Sequence, residues 1–250
     1  MKTAQILSFT ILSLLIPVTL YAADVFESGG ERVSVLELYT SEGCSSCPPA
    51  DRWLSSLKED TRLWKQFIPV AFHVDYWNYI GWPDQFSSES YSDRQRRYAR
   101  SEGLSTVYTP GFLLNGREWR SYFGLRNLSL DDSKNAGTLT VKVDQQTIHA
   151  NYKPSGQGIS NPVLNIAVLG FGLVTKVESG ENRGKQLKHD FTVLGFSMVP
   201  MSTDDNVYEI TTKLPDISII APQTGLAVWV SEQGDQTPIQ AAGGWLSKNY

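Results

Sequence analysis

Cysteine and histidine are scarce in this chain, two of the first and three of the second among 250 positions. Two cysteines exclude a small scaffold held together by many disulfides, and they leave no further cysteine for a four-cysteine metal site. A basic excess is also missing. The formal net charge is -4, and no run of five or more like charges occurs, so no nucleic-acid partner is expected. With 41% hydrophobic and 19% charged residues the chain can bury a sizeable core, which excludes wholesale disorder and collagen-like composition. Its length allows one large domain or two modest ones, and the change of pattern described below favours two.

A long hydrophobic run is absent except near the start. Residues 1–23 combine Lys2, an apolar stretch from Ile6 to Val18 and the small-residue ending Leu20-Tyr21-Ala22-Ala23. That is the pattern of a secretory signal peptide cleaved after Ala22 or Ala23. Ser8, Thr10, Ser13 and Pro17 interrupt the stretch, which falls short of the about 20 apolar residues a span requires. The expectation is an exported protein, periplasmic or secreted, with no stable membrane span after cleavage. In such a compartment cysteine pairs are chemically active.

Two patterns divide the remainder near Asn135. From Val33 to about Ser133 strand-like and helix-like stretches alternate. Val33–Tyr39 reads as a strand, Pro48–Leu57 as a helix, Ile68–Val74 as a strand and Ser87–Arg100 as an exposed helix. The basic residues Arg94, Arg96, Arg97 and Arg100 read as a solvated face of that helix. Gly111–Leu114, Asn115-Gly116 and Arg117–Arg120 then form a hairpin signal. Beyond Asn135 the pattern is strands alone, at 139–143, 148–152, 163–174, 191–199, 207–214 and 226–230, as in a β-sandwich of immunoglobulin-like size. The boundaries expected are a signal peptide over 1–23, an α/β domain over 24–134 and a β-sandwich domain over 135–250.

The chemistry concentrates where the first strand meets the first helix. In Thr40-Ser41-Glu42-Gly43-Cys44-Ser45-Ser46-Cys47-Pro48-Pro49 a Cys-x-x-Cys spacing puts both sulfurs within disulfide reach. The helix N-terminus, with its unpaired amides and partial positive charge, favours a thiolate on the first cysteine. Cys44 is thus the candidate nucleophile and Cys47 the resolving thiol. A permanent structural disulfide stays open as an alternative. So does a metal carrier using Cys44, Cys47 and His73. No cofactor is called for. His189-Asp190 lacks a nearby nucleophile and reads as a loop or interdomain hydrogen bond.

Residues 33–116, with strand, Cys-x-x-Cys, helix and a Thr109-Pro110 before a hairpin strand, resemble a thioredoxin fold. The resemblance implies that Pro110 is cis and faces the cysteine pair, and that Thr109 contacts a substrate chain through its backbone. The fold class expected is therefore an α/β thioredoxin-like domain with a helical insertion, followed by an all-β immunoglobulin-like sandwich. A narrower resemblance rests on residues 36–51, His73-Val74-Asp75-Tyr76-Trp77, Val107-Tyr108-Thr109-Pro110, Glu181-Asn182-Arg183-Gly184-Lys185 and His189-Asp190-Phe191. These are similar to the secreted bacterial family called domain-of-unknown-function 1223, which implies an export address and names no substrate.

The chain departs from ordinary thioredoxins in three places. Gly43 stands before the first cysteine instead of an aromatic, Pro48-Pro49 follows the pair, and 63 residues separate Cys47 from Pro110. The excess is the Asp75–Gly103 region, an insertion whose aromatics include Tyr76 and Trp77. Lying just after a strand end, these two are candidate substrate-binding residues. The function expected is an exported thiol-disulfide oxidoreductase acting on a protein or small molecule that carries a thiol or disulfide, with a redox partner protein. The alternative is a non-enzymatic envelope binding protein that carries a structural disulfide.

Overall fold

Val33–Tyr39 is apolar at most positions regardless of which side a residue faces, which demands a strand covered on both faces. In the computed structural model, which describes residues 23–102, 106–123, 128–130, 134–156 and 158–247, this is so. After β1 (Asp24–Glu27), every residue of β2 (Ser34–Thr40) is buried. The expected signal peptide lies, apart from Ala23, outside the described residues.

The chain then turns into α1 (Pro48–Ser56), which begins with its two prolines at positions that need no amide donor. β3 (Phe67–His73) follows, also wholly buried, and runs parallel to β2 with Thr40 opposite His73. α2 (Glu89–Ser101) starts at Ser88, whose hydroxyl accepts from the Ser90 amide. β4 (Gly111–Leu114) and β5 (Arg117–Glu118) form the hairpin. Asn115 and Gly116 turn it with φ of 51° and 80°, as a two-residue turn of this kind requires.

The rest is strand. β6 (Thr138–Asp144), β7 (Thr147–Lys153), β8 (Pro162–Phe171), β9 (Leu173–Lys176) and β10 (Gln186–His189) come first. They are followed by β11 (Thr192–Pro200), β12 (Ser202–Asp204), β13 (Val207–Lys213), β14 (Gln223–Glu232) and β15 (Asp235–Trp245). The stretch 163–174, expected as one strand, breaks at Gly172, whose φ is 68°. β15 has no clear sequence signal because Gly243 and Gly244 interrupt its apolar pattern. The reason is crowding: a Cβ on Gly243 would sit 2.2 Å from the Leu226 carbonyl oxygen, and one on Gly244 2.6 Å from the Phe26 ring.

An eight-stranded sheet runs in the order β15-β14-β8-β11-β3-β2-β4-β5, beside a five-stranded sheet β1-β6-β7-β13-β12 and a two-stranded ribbon β10-β9. Leu139, Val141 and Ile148 of the five-stranded sheet pack against Ile166, Val168, Leu226 and Val228 of the larger one. This burial of facing apolar rows is the main driving force for stacking the two sheets. Near its centre the larger sheet carries a helix on each side. Alternation along β2 and β3 sends Thr40 and His73 toward α1, where Thr40 Oγ1 donates to Asp51 at 2.8 Å. Glu37, Tyr39 and Phe72 point the other way, toward Arg94 of α2.

The expected fold class is corrected by these pairings. Among the described residues there is no α/β thioredoxin-like domain with a helical insertion followed by an all-β immunoglobulin-like sandwich. Strands dominate the chain as a whole, and the described residues hold only two short α-helices. β3 pairs in parallel with β11 at Ala71 and Thr192, and the Ala71 amide donates to the Phe191 carbonyl at 2.8 Å. Strands from before and after Asn135 thereby join one sheet. Local periodicity reports a strand's faces and not its partner, so a shared sheet and two separate ones have the same local signature.

Arg94 is a second correction. It is fully buried and not on a solvated face. Its Nε and Nη2 donate to the two oxygens of Glu37 at 2.9 and 3.0 Å, and the hydroxyls of Tyr39 and Tyr98 also donate to that carboxylate. Burial opposes the charge on Arg94, but the Glu37 carboxylate outweighs it and keeps the guanidinium protonated.

Candidate functional site

Cys44 and Cys47 are joined in a disulfide with their Cα atoms 5.4 Å apart. β2 and α1 hold them: Cys47 caps the helix, its carbonyl accepting from the amides of Ala50 and Asp51. Ser45 and Ser46 between them are exposed, while Cys44 and Cys47 are 1% and 0% exposed. Cys44 Sγ lies 3.3 Å from Ser46 Oγ and 3.8 Å from the Thr109 carbonyl oxygen. The Thr109–Pro110 peptide bond is cis. The structure thus brings Cys44, Cys47, Thr109 and Pro110 together across 65 residues of sequence.

The segment after β3 covers this point. Trp77 Nε1 donates to Thr109 Oγ1 at 2.7 Å. A Cβ on Gly43 would stand 3.0 Å from Trp77 Cβ and 3.4 Å from Ile80 Cδ1, so the glycine before the first cysteine lets Trp77 close over the turn. Tyr76, next to it, reaches toward α2. Its hydroxyl donates to Gln95 at 3.0 Å, Gln95 donates to the Tyr108 carbonyl at 2.8 Å, and burial pushes the Tyr76 phenol up to about 12.

Beneath the cysteine turn lies a buried polar cluster that the sequence does not announce. His73 Nδ1 and Asp84 Oδ2 are 2.7 Å apart, and His189 Nε2 and Glu42 Oε1 are 3.0 Å apart. The two imidazoles meet edge to face with centroids 5.0 Å apart. The Glu42 amide donates to Asp84 at 2.9 Å, and Trp82 Nε1 donates to the Glu42 carboxylate at 2.8 Å. Burial works against a charged His73, but Asp84, with Asp51 and Glu42, outweighs it and raises its pKa. Burial likewise works against ionised Asp84, yet His73 and the amides of Glu42 and Phe86 hold its carboxyl below the usual range. Burial raises the Asp51 carboxyl. His73 Nε2 has no hydrogen-bond partner.

Among the described residues no three His, Cys, Asp or Glu side chains are placed to hold a metal ion. His73 spends its Nδ1 on Asp84 instead. His189 and Asp190 act separately, Asp190 accepting from Lys58 Nζ at 2.8 Å and from the Gly172 amide at 2.9 Å.

The loop between β9 and β10 closes the other side. Asn182, fully buried, donates through Nδ2 to the carbonyls of Glu42 and Cys44 at 2.8 and 2.9 Å. The Ser45 amide donates to Glu181 Oε2 at 3.0 Å. Glu181 and Asn182 lie within a motif that the sequence singles out, but no spacing rule links them to a turn some 136 residues earlier.

The class of protein this arrangement defines is one with a Cys-x-x-Cys disulfide at a strand–helix junction of a mixed eight-stranded sheet. Solved structures of the same fold exist. A protein from Agrobacterium tumefaciens, AGR_C_4864, is 26% identical with a TM-score of 0.60, the match covering 86% of this chain and 95% of that one. HBP35 of Porphyromonas gingivalis is 17% identical with a TM-score of 0.63, covering 88% of this chain and 77% of that one, a likeness of fold alone. Residues 35–231 match the model of the protein family of unknown function DUF1223, and the chain belongs to that family. No functionally curated protein matches it significantly.

Proposed function

We propose that the protein is an exported thiol-disulfide oxidoreductase acting through Cys44 and Cys47 on a protein or small molecule that carries a thiol or disulfide, with a redox partner protein to reset the pair. A substrate thiolate attacks Cys44 Sγ, the S–S bond breaks, and the electron pair leaves on Cys47 as thiolate. A second substrate thiol then displaces Cys44 from the mixed disulfide. The substrate leaves oxidised by two electrons and the pair holds them as two thiols, and the reverse sequence reduces a substrate disulfide.

The observation that carries this reading is that the two cysteines, the only ones in the chain, close a bridge of three residues' separation at the entry of α1. So short a loop stabilises the fold little by constraining the unfolded chain. Ser46 and the Thr109 carbonyl stand beside the sulfur that would carry the charge or the proton.

Burial of both cysteines favours a second reading, a structural disulfide in a binding protein of the envelope. The two separate in a trapping experiment. Cys47→Ala should accumulate mixed disulfides on Cys44 in envelope extracts and in insulin-reduction assays. Absence of any trapped species, with Cys44→Ser indistinguishable from wild type, would leave the structural disulfide.

A further inference from the structure

We propose that Glu181 sets the redox poise of the Cys44–Cys47 pair, as a positioning residue whose carboxylate occupies the amide a Cys44 thiolate would otherwise use. This rests on the exchange reading above and deepens it. The Ser45 amide belongs to the turn that enters α1, where the helix dipole favours an anion, and Pro48 and Pro49 carry no N–H, so the amides of the turn itself are the donors such an anion would use. In an open site those donors face the ionised sulfur and lower its pKa. Here the Ser45 amide donates to Glu181 Oε2 at 3.0 Å, so one donor is already committed to a fixed negative charge.

The neighbouring contacts show why an exposed side chain keeps this position. Asn182 is fully buried and bridges the carbonyls of Glu42 and Cys44, while Lys185 Nζ donates to Asn182 Oδ1 at 2.8 Å. Backbone bonds from Arg183 to Gly180 and between Val177 and both Gly184 and Lys185 close the loop on itself. Glu181 is thereby held in register with Cys44. Hydrogen bonding from Ser45, helped by Lys185, keeps its carboxyl below the usual range, so it is ionised whenever a thiol could be.

The sign follows from like charges. Reduction takes two electrons and two protons and yields two thiols, and ionisation of Cys44 then releases one proton. An anion beside Cys44 disfavours that last step, so the reduced pair is less stable at pH above the thiol pKa and the disulfide is a weaker oxidant.

Glu181→Gln keeps the acceptor oxygen and the size and removes the charge. The test equilibrates the full chain with dithiothreitol at pH 8, scores the reduced fraction, and titrates the Cys44 thiol by its ultraviolet absorbance. Expected for Glu181→Gln are a lower Cys44 pKa and an equilibrium constant shifted toward the reduced pair by about two- to fivefold, the scale of an exposed ionic interaction. Most of that difference disappears in 1 M salt. Equal constants and equal thiol pKa values in the two proteins, or a difference indifferent to salt, would overturn the proposal. The comparison needs no natural substrate. Failure to trap a mixed disulfide would therefore count against the exchange reading, and an unchanged poise against this inference.

Discussion

Trp77 donates its indole N–H to the hydroxyl of Thr109 at 2.7 Å, tying the segment after β3 to the residue before the cis proline. The bond spans the approach to Cys44, whose carbonyl and amide surroundings are already occupied. Cys44 is 1% exposed, so attack on its sulfur requires surrounding chain to move, and the Trp77–Thr109 bond ties together two of the segments near it.

Trp77→Phe tests that requirement. It keeps an aromatic side chain and removes the donor, at a cost of about 0.5–1.5 kcal/mol for the lost bond. If closure is weakened by that amount, dithiothreitol should reduce the disulfide about two- to tenfold faster. A rate equal to wild type would show that Trp77 does not gate the pair.

Arg94 and Glu37 make a different prediction, about the fold itself. Both are fully buried, and the pair sits beneath Tyr39, Tyr98 and Phe72. Arg94→Met leaves the buried Glu37 carboxyl without its counter-charge, with only the Tyr39 and Tyr98 hydroxyls donating to it, so the unfolding free energy should fall by about 3–5 kcal/mol. Adding Glu37→Leu should recover part of that loss, since an apolar pair needs no compensation. Urea unfolding of the wild type, the two single variants and the double variant measures both effects, and an additive double variant would contradict the pairing.

His73 and Asp84 give a pH dependence whose sign is fixed by their shifts. The His73 pKa is raised in the fold, so its contribution is complete below the unfolded value of about 6.5 and is lost as pH rises through the folded one. The Asp84 pKa is lowered, so its contribution is complete above about 3.9 and is lost as pH falls through the folded value. The stability difference between wild type and Asp84→Asn should peak between about pH 4 and 6.5 and shrink on either side. A difference flat from pH 3 to 9 would be inconsistent with an ionised pair.

Much of the local structure was legible in the sequence and much of the assembly was not. The bounds of β2, α1, β3 and α2 fall within two residues of the pattern's, because apolar runs, prolines at a helix start and a serine cap act locally. The turn at Asn115-Gly116 was legible for the same reason. Pairing of β3 with β11 was not, and it joins strands from either side of Asn135 in one sheet. Arg94 looked like a surface arginine because its partner Glu37 lies 57 residues away in a strand. Of the candidate site, Cys44, Cys47, Thr109 and Trp77 were named from sequence and come together. Glu42, Asp84, Glu181 and Asn182 were given no site role, since each acts through a contact whose partner no motif encodes.

Removing the disulfide offers a stability test of its role. Closing a loop this short constrains the unfolded chain by about 2 kcal/mol at most. The double variant Cys44→Ser, Cys47→Ser should stay folded and lose no more than that in thermal or urea unfolding. Failure to fold would mean that the bridge exists for stability.

The most direct test of the central claim is the reduction potential of the Cys44–Cys47 pair, measured by equilibration with a defined thiol–disulfide buffer. Exchange chemistry predicts a value above about -300 mV, within reach of biological redox partners. A value below that, where permanent bridges of secreted proteins lie, would contradict it.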